Sequence, residues 1–337
     1  MVREEAPVNA RVALALRRAR GESRSAVALA EAVGQSPDEV VAAVQDLGRC
    51  GFSMESHPIQ GFRLLSAPDH LLEDELACDL ETDRIGRTIR CVDETTSTND
   101  LAWQAVEQGG ADADGLAVFA EYQTAGRGRR ASRWLAPRHT SILCSIVLVG
   151  RPGGGDGGAV LTRAASLAAA EAIGDETGLD VGLRWPNDLV LDDRKVGGVL
   201  VEARTGRARG GAAVIGVGIN GTQRPEAFPA EIRDGVTSLA SVGGTVDRTL
   251  LARALLRRLD TVVGKMDTDA GADEVREAAA LRCSTLGCRI TVTDGTETVS
   301  GEVVDLDLDY GLVLRLSGGT IRRFPAMTTH VVPRATW

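Results

Sequence analysis

Arg184-Trp185-Pro186-Asn187-Asp188-Leu189-Val190-Leu191-Asp192-Asp193-Arg194-Lys195-Val196-Gly197-Gly198 reads as two short apolar strands turning at Asp192-Asp193-Arg194. In such a hairpin Asp188 and Lys195 lie on adjoining strands near one end. The chain has only two lysines, Lys195 and Lys265, and uses arginine for every other fixed cation. Lysine offers a compact, mobile charge with three donors, whereas arginine offers a rigid planar fork, so a site that follows a moving carboxylate or phosphate favours lysine. Lys195 is therefore the first candidate for chemistry. Asp188 beside it can hold Mg2+ on one side while the ammonium meets a phosphate on the other. Read alone, a partly exposed ion pair worth under about 1 kcal/mol accounts for the same two residues.

Around this hairpin, from about residue 84 to 282, strands and helices alternate, giving one α/β unit with mostly hairpin-linked strands. Strand patterns fall at 89–92, 116–122, 141–149, 181–185, 189–191, 196–202 and 213–217, and helical patterns at 99–106, 160–177 and 248–263. A glycine-rich loop over 151–158 precedes the second of those helices, which ends at Gly178. Upstream, residues 9–65 carry three apolar stripes at helical spacing, the third opened by Ser36-Pro37, then two short extended pieces around a turn. Three helices and a hairpin in this order resemble a winged helix-turn-helix. Residues 67–83 hold seven acids and no Lys or Arg, and read as a solvated connection with a helix through Leu72, Leu76 and Leu80. After residue 283 come four β pieces, at 289–293, 299–306, 312–316 and 321–324, and a closing strand at 330–332 would complete a small five-stranded barrel.

At 337 residues there is material for two or three units with their own cores. The net charge of -9 and the scarcity of lysine beside abundant Asp, Glu, Ala and Gly resemble salt-adapted, halophile-like cytoplasmic chains, and argue against broad nucleic-acid binding. Six cysteines show no Cys-x-x-Cys and no histidine at zinc-finger spacing, so reduced, mostly buried thiols are expected. No signal peptide and no apolar run of about eighteen residues is present, which points to the cytoplasm and away from membranes.

Three further clusters surround the hairpin. Gln123-Thr124-Ala125-Gly126-Arg127-Gly128-Arg129-Arg130, running on to Trp134, is a pliable loop dense in positive charge that an anion would order; a surface turn of solvated arginines is as good an account of it in isolation. Ser97-Thr98-Asn99, at the end of the first strand, offers hydroxyl and amide groups to a neutral urea or amide, or a helix N-cap. Gly216-Val217-Gly218-Ile219-Asn220-Gly221 matches a dinucleotide fingerprint formally, but Pro225 and Pro229 interrupt the helix that must follow, so that fold is rejected. Neither lysine precedes Ser or Thr, which excludes a Walker A loop.

In this order and spacing, Ser97-Thr98-Asn99, Gln123 to Arg130, Trp185 to Asp188, Arg194-Lys195-Val196-Gly197-Gly198 and Gly216 to Asn220 make the chain resemble the biotin protein ligases, in the subgroup with an N-terminal winged helix that doubles as a biotin-responsive repressor. The resemblance covers essentially the whole length. It implies a multidomain α/β (α+β) protein: a winged helix-turn-helix at 1–66, an acidic linker at 67–83, a class II synthetase-like biotin/lipoate ligase-type catalytic domain at 84–282 and a small C-terminal SH3-like β-barrel at 283–337. It also implies ATP and Mg2+, biotin as substrate, a carboxylase's biotin carboxyl carrier protein as acceptor, and operator DNA as a partner, with a homodimer left open. A lipoate ligase is the alternative enzyme and a non-catalytic biotin sensor the alternative class.

The implied roles are these. Lys195 bridges the biotin carboxylate and the α-phosphate; Arg127 and Arg129 bind phosphate and fold the loop over the adenylate; Asp188 orients Mg2+ or the lysine. Ser97, Thr98, Asn99 and Gln123 address the ureido ring, with Gly126, Gly128, Gly197 and Gly198 lining the biotin site. Arg130, Trp134, Asn187 and Asn220 attend the nucleotide. The family's loop continues with glycine where this chain has Ala131, and if that position needs positive φ the alanine costs roughly 1 kcal/mol. The third N-terminal helix departs further. It presents Asp38, Glu39 and Asp46 against Arg49, and residues 1–65 balance eight arginines against eight acids, so operator binding is disfavoured unless Arg17, Arg18, Arg20 and Arg24 form a patch.

Overall fold

The computed structural model describes residues 7–150, 157–205, 211–307 and 310–332, so most of the expected glycine-rich loop, through residue 156, lies outside the described residues. The chain opens with α1 (Val8–Arg18), α2 (Ala26–Val33) and α3 (Pro37–Arg49), followed by the antiparallel hairpin β1 (Ser53–His57) and β2 (Gly61–Ser66). Ser36 and Glu39 form a reciprocal capping box at the start of α3, with Pro37 in its first turn, which is why this helix was readable. Val12, Leu16, Leu29, Val40, Val44, Leu47 and Phe52 close a small core among these elements.

Next comes α4 (Glu73–Ala77), and here the expectation of a solvated linker is corrected. Leu71, Leu76 and Leu80 are buried in the main core, because an apolar stripe runs between the acids. Glu75 is 3% exposed and meets Arg17 of α1 at 2.6 Å; Arg17 also reaches Asp247 at 2.9 Å. Burial pushes the Glu75 carboxyl above the usual range despite that guanidinium.

The central sheet uses β3 (Thr88–Thr95), β4 (Leu116–Gln123), β5 (Ser141–Val149), β6 (Gly182–Arg184), β7 (Asp188–Leu191), β8 (Arg194–Arg204) and β9 (Ala212–Asn220), in the order β3-β4-β5-β9-β8-β7-β6. Only β3 and β4 run parallel, joined through α5 (Thr98–Gly109); the other neighbours are antiparallel. On one face α6 (Gly157–Thr177) and α7 (Arg248–Lys265) pack over β5, β8 and β9 with α8 (Asp269–Leu281), the alanines of α6 allowing close approach. Helix α8 escaped the sequence reading, since its buried side is little more than Val275 and Ala279. Lys265, at the end of α7, pairs with Glu274 of α8 at 2.8 Å. The opposite face is covered in part by α5, through Ala102 and Trp103.

The C-terminal strands β10 (Arg289–Thr293), β11 (Thr298–Leu306), β12 (Leu312–Leu316), β13 (Ile321–Phe324) and β14 (His330–Val331) form an antiparallel sheet in the order β13-β12-β11-β10-β14. The expected barrel does not close: among the described residues β13 and β14 are the two edges of the sheet and do not pair with each other. Trp185 fastens this sheet to the central one, its indole donating to Tyr310 O at 2.7 Å and its amide to Thr285 Oγ1 at 3.0 Å. The described cysteines are free thiols, and no described helix is long and apolar enough to cross a membrane.

Removing Arg17 takes away the guanidinium bonded to the buried Glu75 carboxylate and leaves Arg253, which donates to the Glu75 backbone carbonyl, as the neighbouring cation. Arg17→Ala is expected to cost about 3 kcal/mol in urea unfolding, the scale for breaking a buried pair from one side; a loss below about 1 kcal/mol would show that the pair is dispensable.

Candidate active site

The candidate site is a cavity of about 190 Å3 on the sheet face that carries α5, lined by the end of β4, the first half of β8, the middle of β9, Leu143 and Cys144 of β5, the start of α5 and the loop between β4 and β5. Strand alternation opens it. Val217 of β9 points into the main core, so Gly216 and Gly218 face the opposite side. A Cβ at Gly216 would stand 2.5 Å from Asn99 Oδ1, and one at Gly218 would stand 2.6 Å from the Trp134 indole. The two glycines therefore let Asn99 and Trp134 lie against the strand.

At the inner end Gln123 Oε1 accepts from the Thr98 amide at 2.8 Å and from its hydroxyl at 3.2 Å. The Ser145 hydroxyl, fully buried, lies 2.7 Å from Thr98 Oγ1 and 2.6 Å from Asn99 Oδ1. With its oxygen engaged, Gln123 keeps its amide NH2 as a donor, and Ser97, although at the N-cap of α5, makes no side-chain cap bond. The expected N-cap role is thus unfilled, and the Ser97 hydroxyl lines the cavity.

Lys195 and Asp188 meet as the sequence implied, Nζ to Oδ1 at 2.6 Å. The register explains it. Leu189 pairs with Gly197 but Val190 with Lys195, so Val196 is an extra, bulged residue. Without that bulge Lys195 would project from the face opposite Asp188. Its ammonium also lies 5.6 Å from the Trp134 ring centroid. A Cβ on Gly198 would crowd Lys195 Nζ at 3.3 Å, so that glycine makes room for the ammonium; one on Gly197 would stand 2.8 Å from Leu189 Cδ1 and 2.9 Å from Gly218 O, so Gly197 faces the core and, against expectation, does not line the cavity. Asn187 lines the cavity mouth, its side chain donating to Val199 O at 2.8 Å.

The arginine loop divides. Trp134 N to Gly126 O at 2.9 Å and Gly128 N to Ser132 O at 2.8 Å fold it back on itself. Arg127 Nη1 donates to Asp100 Oδ1 at 2.6 Å, and its Nη2 lies 3.4 Å from Glu202. Burial works against the Arg127 charge, but the Asp100 hydrogen bond and the Glu202 carboxylate outweigh it and raise its pKa. Arg129 donates to Ala326 O at 2.6 Å and Arg130 to Thr328 O at 2.9 Å, both in the C-terminal unit. Desolvation and then the neighbouring Arg130 lower the Arg129 pKa. The left-handed residue of this loop is Arg130, at φ 55°, which is where the strain anticipated at Ala131 falls.

Two expectations change. Asn220 is buried away from the cavity, donating to Thr237 O at 2.9 Å and accepting from Gln223, so it shapes the loop behind the site. Asp188 faces two cations, Lys195 and, at 3.6 Å, Arg184, and no cluster of three or more metal-ligating side chains exists among the described residues. This donor set does not fit a metal held by the protein. Missing from the sequence reading were Asp100, Glu202 and Ser145. Asp100 directly follows the Ser97-Thr98-Asn99 run, and a polar Ser145 inside an otherwise apolar strand was the visible signal for the third.

Residues 91–220 match the model of the biotin/lipoate A/B protein ligase family. The bifunctional ligase/repressor BirA of Bacillus subtilis is 30% identical over 230 residues, covering 68% of this chain and 70% of that one. The biotin acetyl-CoA-carboxylase ligase of Mycobacterium tuberculosis is 34% identical over 243 residues, covering 70% and 86%. Among solved structures, the biotin protein ligase of Aquifex aeolicus in complex with biotin and ATP superposes with a TM-score of 0.62 at 25% identity, covering 73% of this chain and 99% of that one.

Gly218→Ala places a methyl group inside the Trp134 contact and is expected to displace the ring into the cavity. The tryptophan emission maximum should shift and ligand affinity should fall about a hundredfold, the scale for overpacking a tight site; unchanged emission and affinity would show that the close approach is not needed.

Proposed function

The chain belongs to the biotin protein ligases, and from that premise we propose that it joins biotin to ATP and then passes the biotinyl group to a lysine of a biotin carboxyl carrier protein. The observation that carries this is Lys195, placed at a cavity whose inner end is a Thr98, Asn99 and Gln123 cluster and whose side is the Trp134 indole. The neutral polar end suits a ureido ring, and the ammonium suits the carboxylate at the other end of the same molecule.

In the first step a biotin carboxylate oxygen bonds to the α-phosphorus of ATP, the bond to the β-phosphate oxygen breaks, and pyrophosphate leaves. Two anions are forced together, so a cation between them stabilises the transition state more than the ground state. Lys195 is that cation, and Asp188 at 2.6 Å orients it. Arg129, beside the same hairpin, adds positive charge at the phosphate and carries the loop over the adenylate, keeping water from the mixed anhydride. Trp134 and Asn187 bound the nucleotide side, with Arg130 farther out. In the second step the carrier's lysine amine attacks the acyl carbon and AMP departs with the electron pair. The amide-and-hydroxyl end of the cavity favours the ureido ring of biotin over the apolar dithiolane of lipoate.

The three helices with their hairpin form a winged helix, and the open five-stranded sheet is an SH3-like unit beside a class II synthetase-like catalytic domain, in this proposal. The repressor role named for some relatives is weakened here by the charge of that first module. Arg17 is buried on Glu75, Arg20 pairs with Glu176 at 3.5 Å, Arg24 with Glu22 at 3.0 Å and Arg49 with Asp46 at 2.5 Å, leaving Arg18 exposed. The arginine patch that operator phosphates would need is largely paired off.

Transfer of labelled biotin to a carrier domain, with excess lipoate as competitor, is expected to proceed undiminished; inhibition by lipoate or absence of transfer would refute the assignment. Lys195→Ala should lower pyrophosphate exchange by about 10² to 10³, and near-normal exchange would remove Lys195 from the mechanism. At low salt the intact protein should leave its own promoter fragment unshifted.

A further inference from the structure

Arg127 differs from the other cations of the loop. Its guanidinium meets two carboxylates, Asp100 at 2.6 Å and Glu202 at 3.4 and 3.5 Å, whereas Arg129 and Arg130 donate to neutral carbonyl oxygens. One positive charge between two negative ones leaves that corner net negative, so a carboxylate or phosphate moving towards Arg127 is repelled by the acids already bound to it. Both acids are themselves fixed. Asp100 Oδ2 accepts the Thr96 hydroxyl at 2.8 Å, and Glu202 Oε2 accepts the Trp103 indole N–H at 2.9 Å while Arg204 stacks on that ring at 4.1 Å. The backbone just before Arg127 is equally tied, Thr124 N to Thr95 O and Ala125 N to Thr96 O, each at 2.9 Å. The loop is thus hydrogen-bonded to the sheet and to α5 up to Arg127, and the part that carries Arg129 begins beyond it.

We propose that Asp100 and Glu202 are positioning residues that hold Arg127 as the fixed root of the loop, so that Arg127 helps retain the activated intermediate through these acids and not by binding its phosphate. This rests on the ligase assignment above. A rigid root is what lets a short flap return to one closed geometry; a loosened root leaves the acyl phosphate open to water and to escape.

The test compares the full-length wild type, Arg127→Ala, the pair Asp100→Asn with Glu202→Gln, and all three changes together. Read out are the lifetime of enzyme-bound labelled adenylate after dilution, the pyrophosphate exchange rate and the melting temperature. Each change alone is expected to shorten the lifetime about tenfold, and the triple variant about tenfold as well, because partners in one interaction do not add. Exchange should fall by less than about threefold, since the reacting anions are not touched. A triple variant that loses about a hundredfold, or an Arg127→Ala exchange defect as deep as that of Lys195→Ala, overturns the proposal. If the triple variant fails to fold, the cycle of Arg127→Lys with Asp100→Asn gives the same comparison, additivity again being the refuting result. A wild type that makes no adenylate refutes the ligase assignment and this proposal with it; adenylate formation with additive losses refutes this proposal alone.

Discussion

The contact between Lys195 and Asp188 is the constraint on which the rest of the site depends, and a single extra residue in β8 creates it. An ammonium alone at the cavity mouth would sample many rotamers and lose entropy on every turnover. Held at 2.6 Å by Asp188, it keeps one direction while remaining partly exposed. The pairing is a matter of orientation more than stability, because partly exposed ion pairs contribute little to folding. Neighbouring features keep that ammonium accessible: a glycine at 198 beneath it, and an indole beside it that attracts a cation without neutralising it.

The cavity itself is made by what β9 omits. Alternation along that strand sends Val217 to the helices and leaves Gly216 and Gly218 on the other face, so a central strand of a seven-stranded sheet has bare backbone there at two positions. Asn99 and Trp134 occupy part of the space that side chains would have filled, and the remainder is the cavity. Around this void the polypeptide is tightly fastened. Trp185 joins the two sheets, and Arg17 joins the first helix to α4 and to Asp247 at the N-cap of α7.

Much of this was legible in the amino-acid order. The hairpin of β7 and β8, the long helices and the C-terminal strands follow from apolar period and turn residues, and Lys195 and Asp188 were paired from spacing alone. What stayed hidden is long-range. Nothing local shows that an acid-rich stretch buries Glu75 against an arginine 58 residues earlier, or that Asp100 and Glu202 converge on Arg127 from a helix and a distant strand. Asn220 misled for the same reason, since its neighbours in sequence suggested the cavity while its hydrogen-bond partners, Thr237 and Gln223, lie behind it. Helix α8 was missed because its buried side is carried by small residues, Gly271 and Ala279, with Val275 as the one large apolar side chain among them.

The scarcity of lysine acquires a chemical meaning in a protein that generates an acyl phosphate anhydride. Primary amines are the nucleophiles such a reagent acylates, and guanidinium groups, protonated throughout the ordinary pH range, are not. Besides the ammonium at the cavity, the side chains offer one other amine, Lys265, and it is occupied by Glu274 at 2.8 Å. An activated vitamin escaping into solution would find almost nothing on its own maker to modify, so an exterior furnished with arginine spares the catalyst from becoming its own acceptor.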